Sequence, residues 1–287
     1  MPAPSLFVSH RLTPPGEYTF QIEGPAVDSS GNLYVVNFHS AGTIGKVAPG
    51  ASHSTLFAKL PTGSVGSGIR FDRQGRMYIA DFKKNNVLVI APGQTNAHPY
   101  FHSSHFNQPN DLAIAADGTL YASDPNFPAH TGQIWKITRN ADGTAHGEVM
   151  AAPRPLHQTN GLDLSPDGAT LYVDESDTRQ IWAYRLDGNQ LADPRLVAQF
   201  NDDCELDGLR TDVTGRIFVA RPSAGDVAIV NPDGTLVRKV ATLGREPTNL
   251  TFGGADGKTV FVTQKDGKFI EAFVTDQPGR EFAPHGP

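Results

Sequence analysis

The segment Asn110–Ser123, NDLAIAADGTLYAS, decides the fold of this chain. It runs from a polar residue through an apolar stretch into an Asp-Gly turn, and then into a second apolar run that contains a tyrosine. A glycine turn between two short apolar runs is typical of a β-hairpin. The segment therefore predicts two antiparallel strands joined at Gly118.

The same pattern occurs at five other places along the chain. The related segments are EGPAVDSSGNLYVV from Glu23, SGIRFDRQGRMYIA from Ser67, NGLDLSPDGATLYVD from Asn160, DGLRTDVTGRIFVA from Asp207 and NLTFGGADGKTVFVT from Asn249. The turn glycines follow one another at steps of 42 to 50 residues, at Gly31, Gly75, Gly118, Gly168, Gly215 and Gly257. Repeats of this length predict an architecture of similar units packed side by side.

A second hairpin is predicted after each first one. Third strands are expected at Ile44–Val47, Val87–Ile90, Ile134–Ile137, Ile181–Tyr184, Val227–Val230 and Phe269–Phe273. Fourth strands are expected at Leu56–Leu60, Tyr100–His102, Val149–Ala151, Leu196–Phe200 and Leu236–Val240, which makes only five. Only eight residues follow Gly279, so the missing strand has to come from elsewhere, and Leu6–His10 resembles Leu56–Leu60. We therefore predict an all-β fold, a six-bladed β-propeller that forms a single domain over residues 1–287, with four antiparallel strands per blade and a sixth blade closed by the N-terminal strand.

The composition agrees with this fold and excludes several classes of function. The chain contains 29 Gly and 22 Pro residues, too many for a helical bundle. Its formal net charge is -6 and no run of five like charges occurs, which argues against nucleic acid or a membrane surface as a partner. A single cysteine, Cys204, excludes an intrachain disulfide and a cysteine-based zinc site. Without an apolar membrane span or a signal peptide at Met1–His10, we expect a cytoplasmic protein.

A polar residue stands eight positions before every turn glycine. The six residues are Glu23, Ser67, Asn110, Asn160, Asp207 and Asn249. This offset corresponds to the start of the innermost strand of each blade, so we expect the six side chains to meet around the central channel. Carboxylate and carboxamide oxygens are ligands of hard cations such as Ca²⁺ and Mg²⁺. The alternative is that these residues favour turns, or line a wet channel, without binding an ion.

Four of these positions also carry a family resemblance that covers nearly the whole chain, from about Glu23 to Gln264. The motifs Glu23-Gly24-Pro25, Pro109-Asn110-Asp111-Leu112, Asn160-Gly161-Leu162 and Asp207-Gly208 resemble the metal-site motifs of the senescence marker protein / gluconolactonase / luciferin-regenerating enzyme family. The resemblance implies a six-bladed propeller that hydrolyses sugar lactones and related esters with a divalent metal in its channel. It also implies that the ligands are Glu23, Asn110, Asn160 and Asp207, with Ser67 and Asn249 supporting them or facing substrate.

Two departures from the family pattern bear on this interpretation. Animal members carry a sugar-binding arginine where this chain has His105-Phe106-Asn107-Gln108. A related phosphotriesterase, diisopropylfluorophosphatase, shares the four-ligand pattern and holds a second calcium through a carboxylate three residues after the last ligand. Arg210 stands at that position here, so we expect one metal ion. The resemblance favours Ca²⁺, with Mg²⁺, Mn²⁺ or Zn²⁺ as alternatives.

The expected activity is that of a divalent-metal-dependent hydrolase of small lactones, a metal-dependent lactonase or carboxylic ester hydrolase. Asp207 is the candidate general base, although it could act as the nucleophile or as a ligand only. Glu23 is interpreted as a ligand.

Polar residues in the loops after each second strand are candidates for contact with substrate. Among them, Asn37, Asp124 and Arg221 are expected either to bind substrate or to support the residues that do. The further candidates in these loops are His39, Asp81, Asn126, His130, Glu175 and Gln264.

Three other functions remain open at this point. The site pattern also suits a phosphotriesterase of the diisopropylfluorophosphatase kind. A propeller can instead be a non-catalytic protein that binds a partner, or a metal-free enzyme of the strictosidine-synthase kind. The ring of oxygen ligands favours the lactonase, since a pure scaffold has no need for Glu23 and Asp207 at equivalent inward positions. The expected partner is a small lactone or ester, and the expected state is a monomer or a weak homo-oligomer.

Overall fold

Six antiparallel sheets of four strands each make up the computed structural model, which describes residues 5–282. The first blade contains β2 Tyr18–Val27, β3 Leu33–Phe38, β4 Thr43–Val47 and β5 Thr55–Lys59. The second contains β6 Gly66–Phe71, β7 Met77–Asp81, β8 Asn86–Ile90 and β9 His98–His102. The third contains β10 Leu112–Ile114, β11 Leu120–Asn126, β12 Thr131–Arg139 and β13 Ala145–Val149. The fourth contains β14 Thr159–Leu164, β15 Thr170–Glu175, β16 Gln180–Asp187 and β17 Gln190–Gln199. The fifth contains β18 Leu209–Thr211, β19 Ile217–Arg221, β20 Asp226–Val230 and β21 Leu236–Ala241. The sixth contains β22 Pro247–Gly253, β23 Thr259–Gln264, β24 Phe269–Val274 and β1 His10–Arg11. The predicted six-bladed β-propeller is confirmed.

Helical structure in the described residues is limited to two 3-10 turns, Phe127–Ala129 and Arg280–Phe282. Among residues 5–282 no helix is long and apolar enough to cross a membrane. The outermost residues of the predicted domain, 1–4 and 283–287, lie outside the described part of the chain.

The N-terminal segment closes the sixth blade, as predicted, but through a different stretch. Strand β1 pairs antiparallel with β24, with His10 opposite Ala272 and Arg11 opposite Glu271. The predicted strand Leu6–His10 is thus displaced toward the C-terminus, and Leu6 forms only an isolated parallel bridge to Val274. The reason is local, because Phe7 adopts a left-handed φ of 60° that a continuous strand does not allow.

Apolar side chains fill the spaces between neighbouring blades. One cluster joins Val36 and Ile44 of the first blade to Ile79 and Leu88 of the second, and comparable clusters occur at each later boundary. The ring is completed by a cluster in which Ile270 of the sixth blade packs against residues of the first. Most strands near the axis are therefore buried on both faces.

Candidate functional site

Five of the six equivalent polar residues line a common cavity of about 390 Å³. These five are Glu23, Ser67, Asn110, Asn160 and Asp207. Their predicted position at the start of the inner strand holds only approximately, because Asn110 and Asp207 lie just before β10 and β18 whereas Glu23 lies in the second half of β2. The sixth, Asn249, is buried beside them and donates a hydrogen bond of 2.8 Å from its Nδ2 to Glu23 Oε2. The structure thus brings together residues that are up to 226 positions apart in the chain.

Close contact between neighbouring inner strands creates this convergence. A Cβ atom at Gly24 would lie 1.9 Å from the Ser67 carbonyl oxygen, and one at Gly208 would lie 2.1 Å from the Asn249 side chain. Gly68 and Gly161 approach the next blade in the same way. Glycine therefore follows four of the six ring residues because the next blade occupies the space of a side chain.

The inner strands are also irregular where the ring residues occur. The register of β2 with β3 shifts between Glu23 and Ala26, and that of β14 with β15 shifts between Thr159 and Leu162. Equivalent shifts occur in β6 and β22. An extra residue in one strand bends it locally and redirects a side chain, so these irregularities turn the polar residues toward the axis.

Hydrogen bonds hold the ring side chains in place. The Gly24 N–H donates to Glu23 Oε2 over 2.6 Å, and Ser67 Oγ donates to Asn110 Oδ1 over 3.2 Å. Asn160 Nδ2 donates to Ser176 Oγ over 3.0 Å, and its side chain also bonds to Asp207. The amide groups therefore orient both carboxylates at the cavity wall.

The two ring carboxylates favour the protonated state in the absence of a cation. Burial raises the pKa of Glu23 to about 7, and the charge of Asp111 adds to the effect. Burial also raises the pKa of Asp207 well above its usual value, with further contributions from Glu23 and Asp174. Like charges that share a site disfavour ionisation in this way, and a divalent cation between them would remove the repulsion.

The donor set fits a hard divalent cation. Glu23 and Asp207 supply carboxylate oxygens, and Asn110 and Asn160 supply carboxamide oxygens, the mixture that Ca²⁺ accepts. Within residues 5–282 no group of three or more His, Cys, Asp or Glu side chains could hold a metal ion. An ion at this ring would accordingly depend on the two asparagines as much as on the two carboxylates.

A buried charge cluster lies next to the ring. Asp111 accepts hydrogen bonds of 2.8 Å from Arg210 Nη1 and 3.3 Å from Arg70 Nη2, and all three side chains are buried. Asn249 Nδ2 also approaches Asp111 Oδ2, at 3.4 Å, and so connects this cluster to Glu23. Burial and the neighbouring Arg210 charge lower the pKa of Arg70 to about 10. The sequence analysis identified Arg210 but missed its partner Asp111, which is part of the quoted motif.

The C-terminal segment adds a further ion pair beyond this cluster. Arg280 Nη2 donates to Asp163 Oδ1 over 2.7 Å. Burial opposes ionisation of Asp163, yet Arg280, Arg70 and Arg210 together keep its pKa below the usual value. Three guanidinium groups thus lie near the axis, and they compensate the carboxylates of Asp111 and Asp163.

Three predicted substrate contacts are absent from the cavity lining. Asn37, Asp124 and Arg221 are each 0% exposed. Asn37 Nδ2 donates to Gln21 O and Gly66 O, and its left-handed φ of 66° is one that asparagine tolerates.

Asp124 and Arg221 also have internal partners. Asp124 accepts from the Gln108 N–H and from Trp135 Nε1, whereas Arg221 pairs with Asp202 and Asp226. Three of the further loop candidates, Asp81, Glu175 and Gln264, are equally buried. These residues hold the connections between blades instead of facing the cavity.

Other residues, which the sequence analysis missed, form the rest of the cavity wall. Three are phenylalanines, Phe20, Phe82 and Phe127, and the polar ones include Gln21, Gln108, Glu205 and Lys265. Phe82 directly follows β7 and Lys265 directly follows β23. The residue immediately after a second strand could therefore have been predicted from the sequence as a candidate for the cavity wall. Phe20 lies in the irregular part of β2, which the repeat pattern does not reveal.

Comparison with known proteins provides independent information about this arrangement. A family model described as the SMP-30/Gluconolactonase/LRE-like region matches residues 21–266. A gluconolactonase of Zymomonas mobilis is 27% identical over 270 residues, 84% of this chain and 75% of that protein. A diisopropyl-fluorophosphatase of Loligo vulgaris is 22% identical over 284 residues, which cover 90% of each chain. Among solved structures, regucalcin from Agrobacterium tumefaciens, described as a calcium-binding protein, superposes with a TM-score of 0.74 at 18% identity, covering 94% of this chain and 97% of that one.

Proposed function

Since the chain belongs to the SMP-30/gluconolactonase/LRE-like family, we propose that it is a divalent-metal-dependent hydrolase of small lactones. The observation that carries the proposal is the cavity into which Glu23, Asn110, Asn160 and Asp207 all project from different blades. These four residues are the proposed ligands of one ion. Membership in a family of lactone hydrolases supports an enzyme, whereas the dependence on metal is our proposal.

Calcium is the first candidate for this ion. The donors are all oxygen atoms, which Ca²⁺ prefers, and regucalcin, a protein of similar fold, is described as calcium-binding. Mg²⁺, Mn²⁺ and Zn²⁺ remain alternatives because oxygen ligands discriminate weakly among divalent ions. When bound, the ion supplies a Lewis acid that polarises the lactone carbonyl.

Asp207 is the proposed general base. Its carboxylate lines the cavity, and the Asn160 side chain holds it by a hydrogen bond. A carboxylate held at the cavity wall can accept a proton from an attacking water. Direct attack by Asp207 on the carbonyl is the competing role, and labelled water distinguishes the two in a single turnover.

Glu23 and the remaining ring residues have supporting roles in this proposal. Asn249 Nδ2 donates to Glu23 Oε2 and so fixes the orientation of the carboxylate. Ser67 Oγ donates to Asn110 Oδ1 and leaves the second lone pair of that oxygen available to an ion.

The proposal is tested on protein stripped with a chelator and then supplied with single metals. Proton release from a panel of lactones is expected to vanish on stripping and to return with Ca²⁺ or another divalent ion. Asp207→Asn and Glu23→Gln should each lower kcat by about 100-fold or more. Exposed residues of the same type provide matched controls, so Asp203→Asn and Glu148→Gln should retain full activity.

Contrary outcomes separate the alternatives. Activity on phosphotriesters in place of lactones, with a metal still bound by elemental analysis, would favour the activity of the Loligo vulgaris relative. Full lactone turnover by both ring variants would refute the metal-site proposal. Absence of both metal and turnover would favour a non-catalytic binding propeller.

A further inference from the structure

Three phenylalanines lie at the mouth of the cavity, on the side formed by the first three blades. Phe20 is 62% exposed and Phe127 is 37% exposed, whereas Phe82 is half-buried. All three line the cavity that contains the ring carboxylates. Exposed aromatic side chains around a concave site indicate contact with an apolar ligand surface, since exposure to water has no benefit for folding.

Specific features of the backbone place two of these rings. Strand β2 pairs irregularly with β3 between Tyr18 and Glu23, and Phe20 falls within that stretch. Irregularities of this kind redirect side chains next to functional sites. Phe127 begins a 3-10 turn in which Asn126 Oδ1 accepts from the Ala129 N–H, and Gln158 Nε2 donates to the Phe127 carbonyl. These backbone features fix the point on the cavity wall from which each ring projects.

The polar residues of the cavity wall differ in position from the three phenylalanines. Outside the ring they are Gln21, Gln108, Ser176, Glu205, Thr248 and Lys265. The polar residues at the ends of the second strands, such as Asn37 and Asp124, are buried and already bonded to the blade connections. The charged residues that line the cavity outside the ring are Glu205 and Lys265, which are both exposed. A substituent on the side of Phe20, Phe82 and Phe127 meets aromatic rings, and an alkyl group gains free energy when it is buried against them.

We propose that the preferred substrates are lactones with an apolar alkyl or aryl substituent, which lies against Phe20, Phe82 and Phe127. This inference rests on the proposed lactonase activity and refines it, because it separates such substrates from polyhydroxylated sugar lactones. The ester carbonyl faces the ring carboxylates, and the substituent extends toward the mouth on the aromatic side. Phe20, Phe82 and Phe127 thereby determine specificity without a role in the chemical step.

Three six-membered lactones test this inference on the metal-loaded protein. They are δ-valerolactone without a substituent, δ-octalactone with a propyl chain, and D-glucono-1,5-lactone with several hydroxyls. We expect kcat/KM for δ-octalactone to exceed that for the gluconolactone by about tenfold or more. Phe20→Ala and Phe127→Ala should raise KM for δ-octalactone about three- to tenfold, with little change in kcat or in the constants for δ-valerolactone.

A surface leucine provides the control for a general effect of removing apolar area. Leu236→Ala, at the exposed start of β21, should leave all three substrates unchanged. Because Phe20 is 62% exposed and Phe127 37% exposed, and neither belongs to a buried core cluster of the described residues, their alanine variants should also fold normally, and melting curves check this.

The possible failures are distinguishable. A preference for the gluconolactone, or phenylalanine variants with unaltered selectivity, would overturn the inference and leave the lactonase proposal intact. If the protein hydrolyses none of the three lactones, both the proposed lactonase function and this inference are refuted.

Discussion

At the scale of single residues, the ring combines two carboxylates with a compensated charge cluster beside it. Asp111 accepts hydrogen bonds from both Arg70 and Arg210. The side-chain amide of Asn249 donates to Asp111 and to Glu23. Removing one partner from a buried ion cluster leaves uncompensated charge, which is more costly than the cluster is stabilising. The ring and the cluster therefore depend on one another.

Asp111→Asn is expected to lower the free energy of unfolding by about 3 to 5 kcal/mol, because it leaves two buried guanidinium groups without their carboxylate. Urea unfolding followed by fluorescence measures the loss. Asp203→Asn, at a fully exposed position, should change the stability by less than about 0.5 kcal/mol. Equal stability of the two variants would show that Asp111 does not compensate the arginines.

The raised pKa of Glu23 predicts how the stability of the metal-free protein depends on pH. The folded state holds this proton up to a pKa of about 7, whereas the unfolded chain releases it near 4.5. The folded state binds more protons in this window, so the contribution of Glu23 is fully present below pH 4.5 and is lost as the pH rises through 7.

We expect the melting temperature of the wild type, relative to Glu23→Gln, to fall between pH 4.5 and pH 7 in the presence of a chelator. Glutamine cannot ionise, so the difference between the two proteins reports the ionisation of Glu23 together with its repulsion of Asp207. A saturating divalent ion should abolish the decline in the wild type. If the melting temperature of the wild type relative to Glu23→Gln rises with pH in this window, the raised pKa of Glu23 is contradicted.

At the scale of elements, glycines and strand irregularities set how closely the inner strands approach the axis. Gly24 illustrates the constraint, since it has a φ of 57° and lies where a Cβ would collide with the Ser67 carbonyl. Gly93 has a φ of 73°, but among the described residues no atom lies within 4 Å of its hypothetical Cβ. The two positions thus share backbone conformation and differ in packing.

Gly24→Ala should destabilise the protein by about 3 kcal/mol or more, because the added methyl group forces two blades apart. Gly93→Ala adds backbone strain without a steric clash, so it should lower the free energy of unfolding by only about 1 kcal/mol. Urea unfolding of both variants measures the difference. Equal costs would show that backbone conformation alone requires glycine at position 24.

At the scale of the whole molecule, the N-terminal strand joins the ends of the chain. Strand β1 covers the edge of β24, and the adjacent Ser9 donates to Glu271, which is buried. Thr13 Oγ1 also accepts from the Ile270 N–H over 3.0 Å. Without these contacts the sixth blade would expose an unpaired strand edge, which promotes association.

Deletion of residues 1–11 should lower the free energy of unfolding by about 2 to 4 kcal/mol, since it removes one strand of the closing blade. Thermal melting and light scattering measure the lower stability and the expected association. Val8→Ala, at a position 59% exposed, serves as the control and should behave as the wild type. An unchanged melting temperature after the deletion would show that the closure is dispensable.

The repeat pattern was sufficient to predict the blades and the ring, because both depend on spacing within one unit. Glu23 and Asp207 occupy equivalent positions in two units, so the symmetry of the fold brings them to the same channel. The closing strand was predicted at Leu6–His10 and is observed at His10–Arg11, because the left-handed φ of Phe7 interrupts the predicted strand and nothing in the repeat pattern indicates that φ.

The sequence by itself determined which residues occupy equivalent positions on the inner side of the blades, since a propeller repeats its units about an axis. Only the tertiary structure decided which other polar groups reach the cavity. Asn37 and Asp124 lie near the ends of β3 and β11, where they are buried and hydrogen-bonded to the backbone of neighbouring segments. The position of Phe20 likewise depends on an irregular pairing of β2, which is set by contacts between strands and leaves no periodic signal in the chain.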